Sequence, residues 1–115
     1  MDSDCLFCRM ANGTIPVEKV RDNGGVFALR DINPRAPTHI LIIPRTPIAT
    51  TNDITTEQEP IVGHMVVVAA KIARQEGIAD TGYRLVFNCN ADAGQAVFHI
   101  HLHLLGGRKL SWPPG

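Results

Sequence analysis

The stretch Phe98-His99-Ile100-His101-Leu102-His103-Leu104-Leu105 sets three histidines two residues apart, with apolar residues between and beyond them. Successive side chains of a β-strand point to opposite faces, so His99, His101 and His103 would share one face. Phe98, Ile100, Leu102 and Leu104 would line the other and anchor the strand on a core. A helix would spread the three rings around its circumference, so the spacing predicts a strand.

Just upstream, Asp92-Ala93-Gly94-Gln95-Ala96 lies in a Gly-containing loop over Asn90 to Gln95. Small residues in such a loop can aim backbone N–H groups at an anion, here a phosphate held against the middle ring, His101. Tyr83 to Asn88 reads as another strand. Thr56 to Gln75 reads as the one long helix, with Thr56 and Glu59 as a capping box and Pro60 in its first turn. Ile61, Met65, Val68 and Ile72 form its apolar stripe, flanked by Val62, Val66, Ala69 and Ala73, and Gly77 stops it.

Further upstream, His39-Ile40-Leu41-Ile42-Ile43 is a nearly continuous apolar run closed by Pro44, the pattern of a central strand. The loop Asn33-Pro34-Arg35-Ala36-Pro37 cannot continue a sheet. Val20 to Asp31 reads as a hairpin turning at Asn23-Gly24-Gly25. Asp4 to Ala11 can form a short helix capped by Asp4 and stopped at Gly13, with Pro16 barring continuation. The order strand, strand, strand, helix, strand, strand implies an α+β fold. It comprises an antiparallel sheet of about five strands with one long and one short helix, in a single domain over residues 1–115.

Lys plus Arg equals Asp plus Glu at 11 each, so no basic excess points to nucleic acid and no charge run to a membrane surface. Near-zero net charge favours self-association. No apolar run reaches transmembrane length, and the start lacks the layout of a secretory signal. Three cysteines, Cys5, Cys8 and Cys89, are an odd number that argues against a disulfide framework. An intracellular, cytoplasmic location is expected, with the nucleus as a second compartment.

Three imidazoles on one face serve either as ligands to a metal such as zinc or as a nucleophile with its supporting groups. The phosphate-ready loop favours the nucleophile. Among other residues, Phe27 and Leu29 could wall a purine or simply pack the core. His64 is expected exposed on the helix, Cys89 small and buried, Arg108 solvated at a strand end, and Trp112 a cap on the fold.

His99-Ile100-His101-Leu102-His103-Leu104-Leu105 resembles the His-x-His-x-His-x-x signature, x being apolar, of the histidine triad superfamily of nucleotide hydrolases and transferases. Cys5-Leu6-Phe7-Cys8, the run from Asp31 to His39, Gly94-Gln95 and Gly106-Gly107-Arg108 are similar to the Hint branch, the histidine triad nucleotide-binding proteins. Ser111-Trp112-Pro113-Pro114-Gly115 is similar to the ending of eukaryotic members once described as protein kinase C inhibitors or interacting proteins.

The resemblance implies a homodimer with one continuous sheet. It implies purine nucleoside phosphoramidase activity, a hydrolase cleaving the P–N bond of adenosine or guanosine 5′-phosphoramidates, nucleotidylated lysine included, to AMP or GMP. It makes His101 the nucleophile, His99 and His103 its flanking partners and His39 the fourth histidine. Asp31 would hold the ribose hydroxyls and Ile32 would lie beside the base. Asn88 with the Gly94, Gln95 and Ala96 backbone would meet the phosphate alongside His101 and His103, and tail residues such as Trp112 would approach the partner's site. Ala96 stands where many relatives carry Ser, which keeps open a second function: a catalytically weak nucleotide-binding regulatory or scaffold protein. Cys5 and Cys8 resemble half of a structural zinc site of some relatives. Pro47 occupies the place of a further histidine ligand there, so no metal or cofactor is expected.

Overall fold

The computed structural model describes residues 6–11, 13 and 19–115. Asp4, Cys5 and Pro16 lie outside the described residues. In chain order the elements are helix α1 (Leu6–Ala11), strands β1 (Arg21–Asp22), β2 (Val26–Arg30) and β3 (Thr38–Pro44), helix α2 (Glu59–Gln75), strand β4 (Tyr83–Val86), helix α3 (Asn90–Ala93) and strand β5 (Leu102–Gly106). The strands form one antiparallel sheet in the order β1-β2-β3-β5-β4. The apolar run is indeed central, and all seven residues of β3 are buried.

Period-two alternation sorts the strand residues onto two faces. On the inner face, Val26, Ala28, Ile40, Ile42, Leu102 and Leu104 pack against Met65, Val68, Ala69, Ile72 and Ala73 of α2. On the outer face, Phe27, Leu29, Leu41 and Ile43 pack beneath Phe7 of α1. Phe27, fully buried, is therefore core, whereas Leu29 reaches the edge of a cleft.

Helix α2 departs from the expected boundaries. A 3-10 turn over Thr56–Gln58 precedes it, and the cap is Thr55 with Gln58 rather than Thr56 with Glu59. Gln58 Oε1 accepts from the Thr55 backbone N–H at 2.8 Å and from its hydroxyl at 2.6 Å. Pro60 in the first turn has no intrahelical N–H to lose, so the α-helix proper begins there. At the other end Gly77 takes φ +74°, and the Ile78 N–H bonds the Ala73 carbonyl. Val66 leaves the expected apolar stripe: with Val67 it sits on the solvent side, 43% and 50% exposed. His64 is half-buried rather than exposed.

The histidine segment is only half ladder. β5 begins at Leu102, and residues 97–99 bend across the end of the sheet. The Ile100 N–H donates outside the sheet, to the Ile48 carbonyl at 2.7 Å. That bend turns Phe98 outward, 56% exposed, so it does not anchor the core as Ile100, Leu102 and Leu104 do. Likewise β4 ends at Val86, short of Asn88, and the expected loop from Asn90 contains the single turn α3. Gly94 closes that turn in the left-handed region, at φ 81°.

Candidate active site

β3 and β5 set the outer-face histidines side by side, because the register pairs Leu41 with His103 and His39 with Leu105. His39 and His103 thereby become diagonal neighbours on one face. Their rings touch: His39 Nε2 and His103 Nδ1 are 2.9 Å apart. His101 follows, its ring centroid 5.0 Å from that of His103, and Phe7 packs edge-on against it at 4.9 Å.

Hydrogen-bond partners settle which nitrogen of each ring carries a proton. The His99 carbonyl can only accept, so His101 Nδ1 donates to it at 2.9 Å. In the neutral ring the lone pair then resides on Nε2. The Arg35 backbone N–H donates to His39 Nδ1 at 3.0 Å, which puts the His39 proton on Nε2. That proton points to His103 Nδ1, with Asp31 Oδ2 at 3.4 Å as a second acceptor. His103 consequently keeps its own proton on Nε2. A nucleophilic nitrogen and a hydrogen-bond donor are thus presented by adjacent rings.

Burial keeps this pair of donors neutral. His103 is pushed down to about 4 by desolvation, with the nearby His101 and His39 rings adding to the shift and Asp31 opposing it. His39 is also lowered, first by burial, against the pull of Asp31.

His99 serves differently from its neighbours. It is 1% exposed and lies beneath the site, donating from Nε2 to the Pro44 carbonyl at 2.6 Å. Its Nδ1 faces Cys8 Sγ at 3.0 Å, with the thiol as donor. Among the described residues, Cys8 and His99 make two donors of the four a structural zinc takes. Asp31, His39 and His103 also turn potential ligand atoms to within 4.8 Å of one another, already spent on the hydrogen bonds above.

Beside the rings opens a cleft of ≈ 380 Å³. All eight nucleotide-contact residues expected from the sequence line it: Asp31, Ile32, Asn88, Gly94, Gln95, Ala96, His101 and His103. His39 and His99 do not; they stand behind the lining rings. Ile32 sits at the rim, 91% exposed. Gln95 contributes its backbone, because its side chain staples the loop: Nε2 donates to the Ala49 and Val97 carbonyls, and Oε1 accepts from the Asn90 N–H. Leu6, Phe7, Met10 and Leu41 complete an apolar wall that sequence reasoning missed. Only the packing of α1 over the sheet reveals it.

Other residues part from expectation. Cys89 is half-buried, and hydrogen bonds, foremost with the Thr51 side chain, hold its thiol below the usual range. Arg108 is solvent-exposed as expected, yet its guanidinium clamps the Arg35 carbonyl through Nε and Nη2. Trp112 is 79% exposed rather than a cap on the fold, with the Arg84 guanidinium over its ring.

The site presents an unprotonated imidazole nitrogen and a neighbouring ring N–H to a cleft on one face of an antiparallel sheet. The HIT domain profile matches residues 12–110, and the chain belongs to the HIT family. It is 53% identical over 110 residues to the purine nucleoside phosphoramidase of Escherichia coli K12, covering 96% of this chain and 92% of that protein. Among solved structures, a HIT family hydrolase from Legionella pneumophila Philadelphia 1 superposes with a TM-score of 0.94 at 51% identity, covering 97% of this chain and 100% of that one. A histidine triad protein from Clostridium difficile gives 0.89 at 45% identity, covering 94% of each.

Proposed function

We propose that this protein is a purine nucleoside phosphoramidase, hydrolysing the P–N bond of adenosine or guanosine 5′-phosphoramidates. The observation that carries the reading is the fixed tautomer of His101, whose Nδ1–H···O bond to His99 leaves Nε2 free to attack phosphorus beside the anion-ready loop. The likeness to the Escherichia coli phosphoramidase supports it.

The purine lies in the apolar part of the cleft against Leu29, Phe7 and Ile32, with Asp31 at the ribose. The phosphoryl group meets His101, His103, Asn88 and the Gly94–Ala96 backbone. His101 Nε2 forms an N–P bond as the P–N bond to the amine breaks, and the departing nitrogen takes a proton from solvent water so that it leaves as the neutral amine. Water then cleaves the nucleotidyl-imidazole and restores the ring. The sum turns RO–PO₂⁻–NHR′ and H₂O into RO–PO₃²⁻ and R′NH₃⁺. Splitting the reaction through the covalent intermediate replaces one hard displacement by two easier ones. Neutral His103 donates from Nε2 to a phosphoryl oxygen on which charge grows.

The edge position of β4 and the exposed Val66 and Val67 of α2 support a homodimer in which two sheets join edge to edge. A cytoplasmic setting with access to the nucleus completes the proposal. Rapid-quench assay of the wild type with an adenosine 5′-phosphoramidate tests the enzyme reading. A burst of amine equal to the enzyme concentration, with AMP covalently held, is expected. Tight AMP binding without turnover would instead favour the regulatory binder that Ala96 suggests.

A further inference from the structure

Helix α1 has six residues, too few to stay helical without tertiary support. It nevertheless supplies Leu6, Phe7 and Met10 to the cleft, and the Phe7 ring packs against His101. Its underside, Phe7 with Met10 and Ala11, rests on the outer apolar layer of the sheet, and Cys8 meets His99. Apolar burial is non-directional, so it holds the helix down without fixing where its end lies. The last carbonyls of a helix also have no partner within it, and a donor from elsewhere must meet them.

Arg45 brings that donor. It follows β3 directly, and its backbone N–H donates to the Gly25 carbonyl at 2.9 Å. Its guanidinium then reaches two separate parts of the chain. Nη1 donates to the Ala11 carbonyl, the last of α1, while Nε donates to the Gly24 carbonyl and Nη2 to Asp22 Oδ2 at 2.7 Å. Asp22 is fixed in its turn: Oδ1 accepts from the Gly24 N–H at 3.1 Å, and Lys19 Nζ lies 3.5 Å from Oδ2. The Arg45 hydrogen bond, ahead of that from Gly24, holds the Asp22 carboxyl below its usual range. One planar fork thus joins the β1–β2 turn to the end of α1. Arg45 itself lies outside the cleft lining, so whatever it does there passes through the helix.

We propose that Arg45 is a positioning residue for the base: by fastening the end of α1 to the β1–β2 turn, it holds Phe7 and Met10 at the spacing a purine fills. The inference rests on the nucleotide reading above. Without the fork the end of α1 lifts and the apolar wall recedes. His101 stays in place, because its Nδ1 remains bonded to the His99 carbonyl.

The test compares dissociation constants for AMP and for ribose 5-phosphate, which lacks the base. Arg45→Met should weaken AMP about fivefold, the scale of one lost hydrogen-bonded tie, and leave ribose 5-phosphate unchanged. In hydrolysis of an adenosine 5′-phosphoramidate the same variant should raise KM about fivefold and hold kcat within about twofold. Asp22→Asn, which frees the guanidinium from its anchor, should weaken AMP in the same direction by about twofold, and it serves if Arg45→Met does not fold. AMP affinity equal to wild type in these variants overturns the inference. So does an equal loss for both ligands, or a fall in kcat at unchanged KM, since either would make Arg45 a general brace. If the wild type binds AMP no better than ribose 5-phosphate, the nucleotide reading itself fails. A wild type that favours AMP, with variants that favour it as strongly, leaves that reading standing and removes only the inference.

Discussion

The two faces of the sheet are made by the same strands and live under opposite rules. On β3 and β5 the inner residues Ile40, Ile42, Leu102 and Leu104 interlock with α2 in a dry, apolar layer. One residue away along the same backbone, His39, Leu41, His103 and Leu105 share the opposite face, where Leu41 and His103 line the cleft. The inner face tolerates any arrangement that fills volume, whereas the outer face requires each ring nitrogen to have its particular partner. The inner layer makes the strands stiff, and that stiffness holds His103 2.9 Å from His39.

The sharpest way to break the contrast is at His101. His101→Ala should cost on the order of 10⁴-fold or more in kcat while leaving the melting temperature nearly unchanged, read by steady-state hydrolysis alongside thermal denaturation. Ile42→Ala should do the reverse. The fully buried side chain leaves a cavity under the sheet, so urea unfolding should show a loss of about 2–5 kcal/mol, with turnover per folded molecule close to wild type. Equal damage to activity and stability in either variant would mean that the faces are not separable.

A smaller effect is expected from the titration of His103. Its folded pKa of about 4 lies below the ordinary 6.5, so the unfolded chain takes up the proton first as pH falls. Stability present above pH 6.5 should decline through that window down to about pH 4. The ring is partly open to solvent, so the loss is on the order of 1 kcal/mol after screening. His103→Asn should flatten that part of the stability-against-pH curve, and an unchanged slope would assign the acid sensitivity elsewhere. The smallest effect is expected of Ala96→Ser, which adds a hydroxyl at the mouth of the cleft, where Ala96 is exposed. A rise in kcat of a few-fold is expected from one added donor near the departing amine.

Much of the site was legible because its residues are short-range in sequence or lie on regular elements. Strict two-residue spacing put His101 and His103 on the face opposite Leu102 and Leu104, and Gly94 with its small neighbours marked the tight loop that lines the cleft. What escaped notice came from long-range contacts. Phe7 and Met10 enter the cleft only because α1 lies across the outer face, and Arg45 meets the Ala11 carbonyl only through that packing. Phe98 misled because alternation holds only where a ladder continues, and the chain bends before β5 begins.

Local pattern by itself determined the α+β class, the central strand, the long helix and the placing of His101 and His103 together, since periodicity and turn chemistry act over a few residues. The tertiary structure decided the protonation of those rings. A proton's place on imidazole depends on what lies opposite each nitrogen, and here the partners are the backbone atoms of Arg35, His99 and Pro44 together with the side chains of Asp31 and Cys8. Most of those partners are distant in sequence and were brought within about 3 Å by the packing of strand, loop and helix.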